Sequence, residues 1–187
     1  MHPEVERRLV HATGAAIPLA WFVGLLPWWA VQSLWTAAAV CALVLEAFRL
    51  SGYIHWRIFE TLTREYEREN LAGYALYMFS MAGVAWLFAP HVAAPGMLML
   101  ALGDPVSGLL GSGELRAMKE ATSLLAMFGV CLLIGLAFVS AVPAALGAAG
   151  ATLADGVKPV VRGYVIDDNL TIPPAAAVGI TAGLLLV

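Results

Sequence analysis

The sequence predicts an all-helical integral membrane protein, a polytopic bundle of about seven transmembrane helices with a cytoplasmic N-terminus. Three observations carry that reading. Of 187 residues, 61% are hydrophobic, and mean hydropathy is +0.83, far above a soluble domain with one anchor. Apolar runs fill nearly the whole length, so residues 1–187 read as a single membrane domain with no attached soluble module. Every lysine and arginine falls in one of four places: Arg7/Arg8, Arg49 to Arg68, Arg116/Lys119 and Lys158/Arg162.

Counted against spans of roughly 20 residues, the runs are 12–27, 30–48, 71–89, 92–110, 121–142, 144–161 and 170–187. Pro27-Trp28-Trp29 reads as an interfacial turn, and Pro90-His91 joins the second pair of spans. The N-terminal run is longer than a signal-peptide core and lacks a cleavage site, so it reads as a retained first span. The segment 144–161 is rich in glycine and alanine and carries Asp155; it reads as a short sixth span or a re-entrant segment. Seven spans put all four basic clusters on one side, which the positive-inside rule makes cytoplasmic. The connections near residues 28–33, 89–95 and 141–147 contain no lysine or arginine. In 51–70, Ile54, Ile58, Leu62 and Tyr66 recur every fourth residue, with Arg57, Glu60, Arg64 and Glu67 off that line. That pattern predicts an amphipathic helix at the cytoplasmic interface. Cys41 and Cys131 lie inside apolar runs and read as small hydrophobes. A net charge of -3 gives no sign of nucleic-acid binding.

Chemistry concentrates in three stretches on the cytoplasmic side. Asp104 lies in an apolar run, between Gly103 and Pro105. A carboxylate at membrane depth costs several kcal/mol, which makes it a functional candidate, and the proline predicts a helix irregularity. If helix resumes after Pro105, Ser107 and Gly111 sit four apart, and Gly108 lies one turn from Asp104. Such a small-residue face admits a phosphate, although for the glycines alone tight packing against another helix is the better account. Lys119, Thr122 and Ser123 share one face at the start of the fifth span, where a cation, hydroxyls and first-turn amides form an anion site. A snorkelling lysine with ordinary capping residues fits the same pattern. Asp167-Asp168-Asn169 opens the last span: adjacent hard oxygen ligands suit Mg²⁺ shared with substrate phosphates, while helix capping accounts for one of the three. Metal-binding carboxylates, a cation and close backbone approach are the inventory of phosphoryl transfer. The Walker-type glycine-rich loop is missing, which excludes a P-loop enzyme.

Over nearly its whole length the chain resembles the CTP-dependent lipid kinases, the family of dolichol kinase, phytol kinase and a fungal diacylglycerol kinase. The resemblance rests on Gly103-Asp104-Pro105 through Gly111, on Lys119 followed by Ser123, and above all on Asp167-Asp168-Asn169-Leu170-Thr171-Ile172-Pro173. Arg7-Arg8-Leu9-Val10-His11 and Arg68-Glu69 leading to Gly73 match more weakly. It implies Mg²⁺-dependent transfer of the CTP γ-phosphate to a long-chain isoprenoid alcohol such as a polyprenol, on the cytoplasmic face of the cell membrane. Two departures concern the nucleotide contacts. Asp155 stands where the family often has a glutamate, and the loop from Gly111 to Lys119 is short.

The expected roles follow. Asp167, Asp168 and Asn169 hold the metal. Asp104 completes that site or accepts the alcohol proton. Lys119 neutralises the transferring phosphoryl. Gly103, Ser107, Gly108, Gly111, Lys119 and Ser123 meet the nucleotide. Two other readings use the same acids. A cytidylyltransferase making a CDP-lipid also needs CTP and a metal, but its Lys-Asp and His-Gly-Gly signatures are not visible. A small ion- or proton-coupled transporter would need polar residues in the outer half of several spans, where this chain has almost none.

Overall fold

The structure, a computed structural model, describes residues 3–54, 56, 63, 67–110, 120–157, 159–161 and 164–187. The regular structure among these residues is helical, apart from a small hairpin. The helices are α1 (Pro3–Thr13), α2 (Ala16–Phe22), α3 (Trp28–Leu50), α4 (Gly73–Leu87) and α5 (Pro90–Leu98). A π-helical turn (Met99–Gly103) then leads into α6 (Asp104–Leu110), followed by α7 (Ala121–Leu136), α8 (Ala141–Gly156) and α9 (Asp168–Leu184). Between α8 and α9, β1 (Val160–Val161) pairs antiparallel with β2 (Tyr164–Val165).

Among the described residues, two rods are long and apolar enough to cross a membrane: Trp28–Leu50 with 23 residues, and the continuous Pro90–Leu110 with 21. The second is the central rod of the protein and mostly buried; the first is peripheral. The others are shorter than their apolar runs. At 1.5 Å per residue, α4 and α7 reach only about 23 Å. Non-helical residues around Phe88–Ala89 and Ala137–Ser140 take up the remainder of each run.

The run at 12–27 is not one rod. Pro18 has no N–H for the carbonyl one turn back at Gly14, and the chain breaks there between α1 and α2. Tyr77 fills the break: a Cβ on Gly14 would overlap its hydroxyl, which donates to the His11 carbonyl at 3.2 Å. The segment 144–161 starts as a regular helix, α8, and finishes in the hairpin. In the expected amphipathic helix, Arg57, Ile58, Glu60, Leu62, Arg64 and Tyr66 lie outside the described residues.

Successive long helices run antiparallel, as their end contacts show. At one end, Gly73 of α4 faces Asn169 of α9, Gly156 of α8 faces Leu124 of α7, and Gly108 of α6 faces Arg8 of α1. At the other end, Gly183 of α9 faces Pro143 of α8, and Gly135 of α7 faces Ala144. There Trp28 and Gln32 of α3 both donate to the Ala85 carbonyl of α4, at 3.2 and 3.1 Å. The α8–α9 seam is the tightest: a Cβ on Gly179 would overlap the Leu146 carbonyl, and one on Gly147 the Ile180 side chain. Small residues here let two backbones approach without a clash, which is how helices associate where apolar burial drives nothing. Met97, Met99, Leu100 and Ala101 of the central rod are fully buried in the core. Outward faces carry large apolar side chains, among them Val40 and Val44 of α3, Leu125 and Leu133 of α7, and Val178 of α9.

Candidate functional site

The central rod changes register beside the candidate acid. Across Met99–Gly103 the helix widens to the π form, and Asp104 opens α6 directly after it. Pro105 is the cause. In the five-residue register its nitrogen would face the Leu100 carbonyl, and proline has no hydrogen to give. His11 Nε2–H supplies the missing donor to Leu100 at 3.1 Å, and the same nitrogen lies 3.9 Å from Asp104 Oδ2. Burial lowers the His11 pKa from its ordinary value, against the raising pull of Asp104 and of the Leu100 carbonyl. That hydrogen bond requires a proton on Nε2.

Proline shapes the second acidic element in the same way. Pro173, inside α9, leaves the Asn169 carbonyl without its helical donor, and Ser80 Oγ donates to it at 2.7 Å. α4 is thereby tied to the first turn of α9. Asp167 is the N-cap of that helix, accepting from the Asn169 backbone N–H at 3.0 Å and from its side-chain amide. Asp168, in the first turn, is 2% exposed.

Three acids from distant segments meet at this end of the molecule. One carboxylate oxygen each from Asp104, Asp155 and Asp168 lies within 4.8 Å of the others. Asp155 is fully buried in the last turn of α8, where the helix dipole disfavours a negative charge. Its Oδ2 accepts a 2.7 Å hydrogen bond from the buried Ser107 hydroxyl of α6. Three carboxylates this close need positive charge between them. Opposite ligands of a six-coordinate Mg²⁺ stand about 4 Å apart, so small side-chain shifts seat one here. The donors are all hard oxygens, and Asn169 Oδ1, one residue on, is buried with no hydrogen-bond partner. The residues present fit the ion.

Of the expected metal ligands, the structure brings Asp104 and Asp168 together, adds Asp155, and leaves Asp167 and Asn169 bonded to each other beside the trio. Of the expected nucleotide contacts, Gly103 packs against α7: a Cβ there would stand 2.8 Å from Met127 Sδ and 3.0 Å from Cys131 Sγ. Antiparallel packing then carries Ser107, one turn along α6, towards Ser123, one turn back along α7. Ser123 Oγ is buried without a hydrogen-bond partner. Gly108 meets Arg8. Lys119 and Gly111 lie outside the described residues.

A neighbouring polar group holds the wall of the site. Glu46 of α3, 1% exposed, receives both Arg49 Nε and Nη2 at 2.7 Å, the Ala72 N–H at 2.9 Å and the Tyr74 hydroxyl. Arg49 also donates to the carbonyls of Glu67, Arg68 and Asn70. The turn before α4 is therefore clamped to α3. Gly73 follows it, and a Cβ there would stand 2.9 Å from Asn169 Nδ2 and 3.3 Å from Glu67 Oε1. A glycine there lets α4 start against this polar cluster without displacing it. No family model, curated protein or solved structure matches this chain.

Proposed function

We propose that the chain is a polytopic membrane kinase that transfers the γ-phosphate of CTP to a membrane-embedded long-chain isoprenoid alcohol, with Mg²⁺ held by Asp104, Asp155 and Asp168. The observation that carries this reading is the meeting of these three acids at the one end of the helices where Ser107 and Ser123 also lie. Seven spans with a cytoplasmic N-terminus fit that arrangement. In such a topology the ends of α6 and α8 and the starts of α7 and α9 all face the cytoplasm, where CTP is. Large apolar side chains exposed on three helices, among them Val40 and Val44 of α3, Leu125 and Leu133 of α7 and Val178 of α9, support a bilayer environment.

Exposure sets the further role. Asp155 and Asp168 are buried and act only as ligands, whereas the Asp104 side chain is 20% exposed and so also within reach of a substrate. Asp104 takes the hydroxyl proton as the alcohol oxygen bonds to the γ-phosphorus. The bond to the β–γ bridging oxygen breaks, and CDP leaves. Bound Mg²⁺ supplies charge neutralisation and orientation of the phosphates. Ser123 and the first-turn amides of α7 offer donors to the phosphate oxygens. Lys119 neutralises the transferring group. The preference for CTP rests on the resemblance of the three motifs, not on a base-reading residue.

The test is product identity. Protein in detergent with Mg²⁺ is given CTP labelled in the γ-phosphate and a panel of prenols and diacylglycerol. Label in a lipid phosphate is the expected result. Labelled pyrophosphate with a CDP-lipid would mean a cytidylyltransferase instead, and no product with any alcohol would return the acids to a transport pathway.

A further inference from the structure

α1 brings a cation to the acid cluster. A Cβ on Gly108 would stand 2.9 Å from both Cζ and Nη2 of Arg8 and 3.1 Å from Nη1. Three nearly equal distances mean that the guanidinium lies with its face on the bare backbone of Gly108. Gly108 is one turn after Asp104 on α6, and His11 is one turn after Arg8 on α1, beside Asp104. The two helices therefore run side by side in opposite directions, with His11 at the acid and Arg8 one turn further out. His11 fixes this register by its bond to Leu100, at the carbonyl that Pro105 leaves open.

We propose that Arg8 is a phosphate-binding residue of this site, its guanidinium stacked on Gly108 so that its edge meets the nucleotide phosphates over the acid cluster. The inference rests on the kinase reading for the identity of the nucleotide. A nucleoside triphosphate beside three carboxylates brings more negative charge than one divalent ion neutralises. A guanidinium held by its face presents its N–H donors along the edge, in the fork that matches two phosphate oxygens. Gly108 is then a glycine because any side chain would lift the guanidinium off its seat.

Three variants test this: Arg8→Gln, Arg8→Lys and Gly108→Ala. The last keeps the charge and displaces only the far end of a flexible side chain, so its unfolding temperature stays close to that of the wild type. Steady-state kinetics with CTP and a prenol should show Arg8→Gln losing on the order of a hundredfold in kcat/KM for the nucleotide, with KM for the alcohol little changed. Arg8→Lys recovers about tenfold of that at most, and Gly108→Ala raises the nucleotide KM about tenfold. A wild-type nucleotide KM and kcat in Arg8→Gln would overturn the proposal. So would losses in the nucleotide and alcohol constants of equal size that track a lower unfolding temperature. Binding of Mg²⁺-pyrophosphate to the same proteins, by calorimetry in detergent, separates this inference from the kinase reading. If wild-type protein phosphorylates no alcohol, the kinase reading fails. Arg8 still stands if Arg8→Gln weakens pyrophosphate binding about tenfold or more, and falls if the wild type binds none or the variant binds it equally.

Discussion

Asp155→Asn offers the sharpest test of the metal site, because it changes charge and almost nothing else. The three carboxylate oxygens lie within 4.8 Å of one another. At an effective dielectric of about 20, each ionised pair repels by about 3 kcal/mol, so the trio stores about 10 kcal/mol when it holds no cation. That repulsion is comparable to the whole stability of a domain, and a bound cation relieves it. Asparagine keeps an acceptor for the Ser107 hydroxyl and leaves a single carboxylate pair, removing about two-thirds of the repulsion. Thermal unfolding in detergent, followed by tryptophan fluorescence with EDTA or with Mg²⁺, reads the effect. In the wild type, Mg²⁺ at ten times its Kd should add about 1.4 kcal/mol of stability. In Asp155→Asn the EDTA unfolding temperature should rise above the wild type's, and the Mg²⁺ increment should shrink or vanish. A wild type indifferent to Mg²⁺, together with a variant destabilised in EDTA, would refute the reasoning: Asp155 would then be a buried hydrogen-bond acceptor and no more.

Other substitutions separate chemistry from structure. Asp104→Asn should lower kcat by about a thousandfold or more while the protein inserts and folds normally, checked by kinetics beside size-exclusion chromatography. Asp167→Ala removes the α9 cap and should cost about 1–2 kcal/mol in thermal unfolding, yet change apparent Mg²⁺ affinity far less than Asp168→Ala, as metal titrations would show. Arg49→Met leaves Glu46 buried without its cation and should cost about 3–5 kcal/mol; Glu46→Gln in the same chain should restore part of the lost unfolding temperature.

Local chemistry made much of this legible in the sequence. Pro105 beside Gly103 and Asp104 announces a broken register, and the π-helical turn sits there. Pro27 and Pro90 mark the starts of α3 and α5, because a proline costs nothing where a helix begins. Asp104 stands out because an acid in an apolar run is expensive, and Asp168 because it stands between two further oxygen ligands, Asp167 and Asn169. Partnerships between distant residues were not legible. Asp155 is the lone acid of a segment that reads equally well as a re-entrant loop, and its place in the trio depends on how far α8 runs before the hairpin. Nothing in the spacing of Arg8 and His11 reveals that α1 lies along α6. Their signal is indirect: Pro105 leaves a buried carbonyl in need of a donor, and Gly108 leaves a bare backbone in need of a neighbour. The break at Gly14 was missed because hydropathy alone does not register Pro18 as a missing donor. Glu67 fell within an amphipathic pattern, where its alternation with basic residues made it look like a solvated face.

The most direct measurement of the central claim is phosphate transfer by the wild type and by Asp155→Asn, with γ-labelled CTP and a prenol at several Mg²⁺ concentrations. Labelled prenyl phosphate from the wild type, dependent on Mg²⁺, with turnover in Asp155→Asn lower by on the order of a hundredfold and shifted to higher Mg²⁺, is the predicted result. Prenyl phosphate formed equally by both proteins, or by the wild type in EDTA, would contradict it.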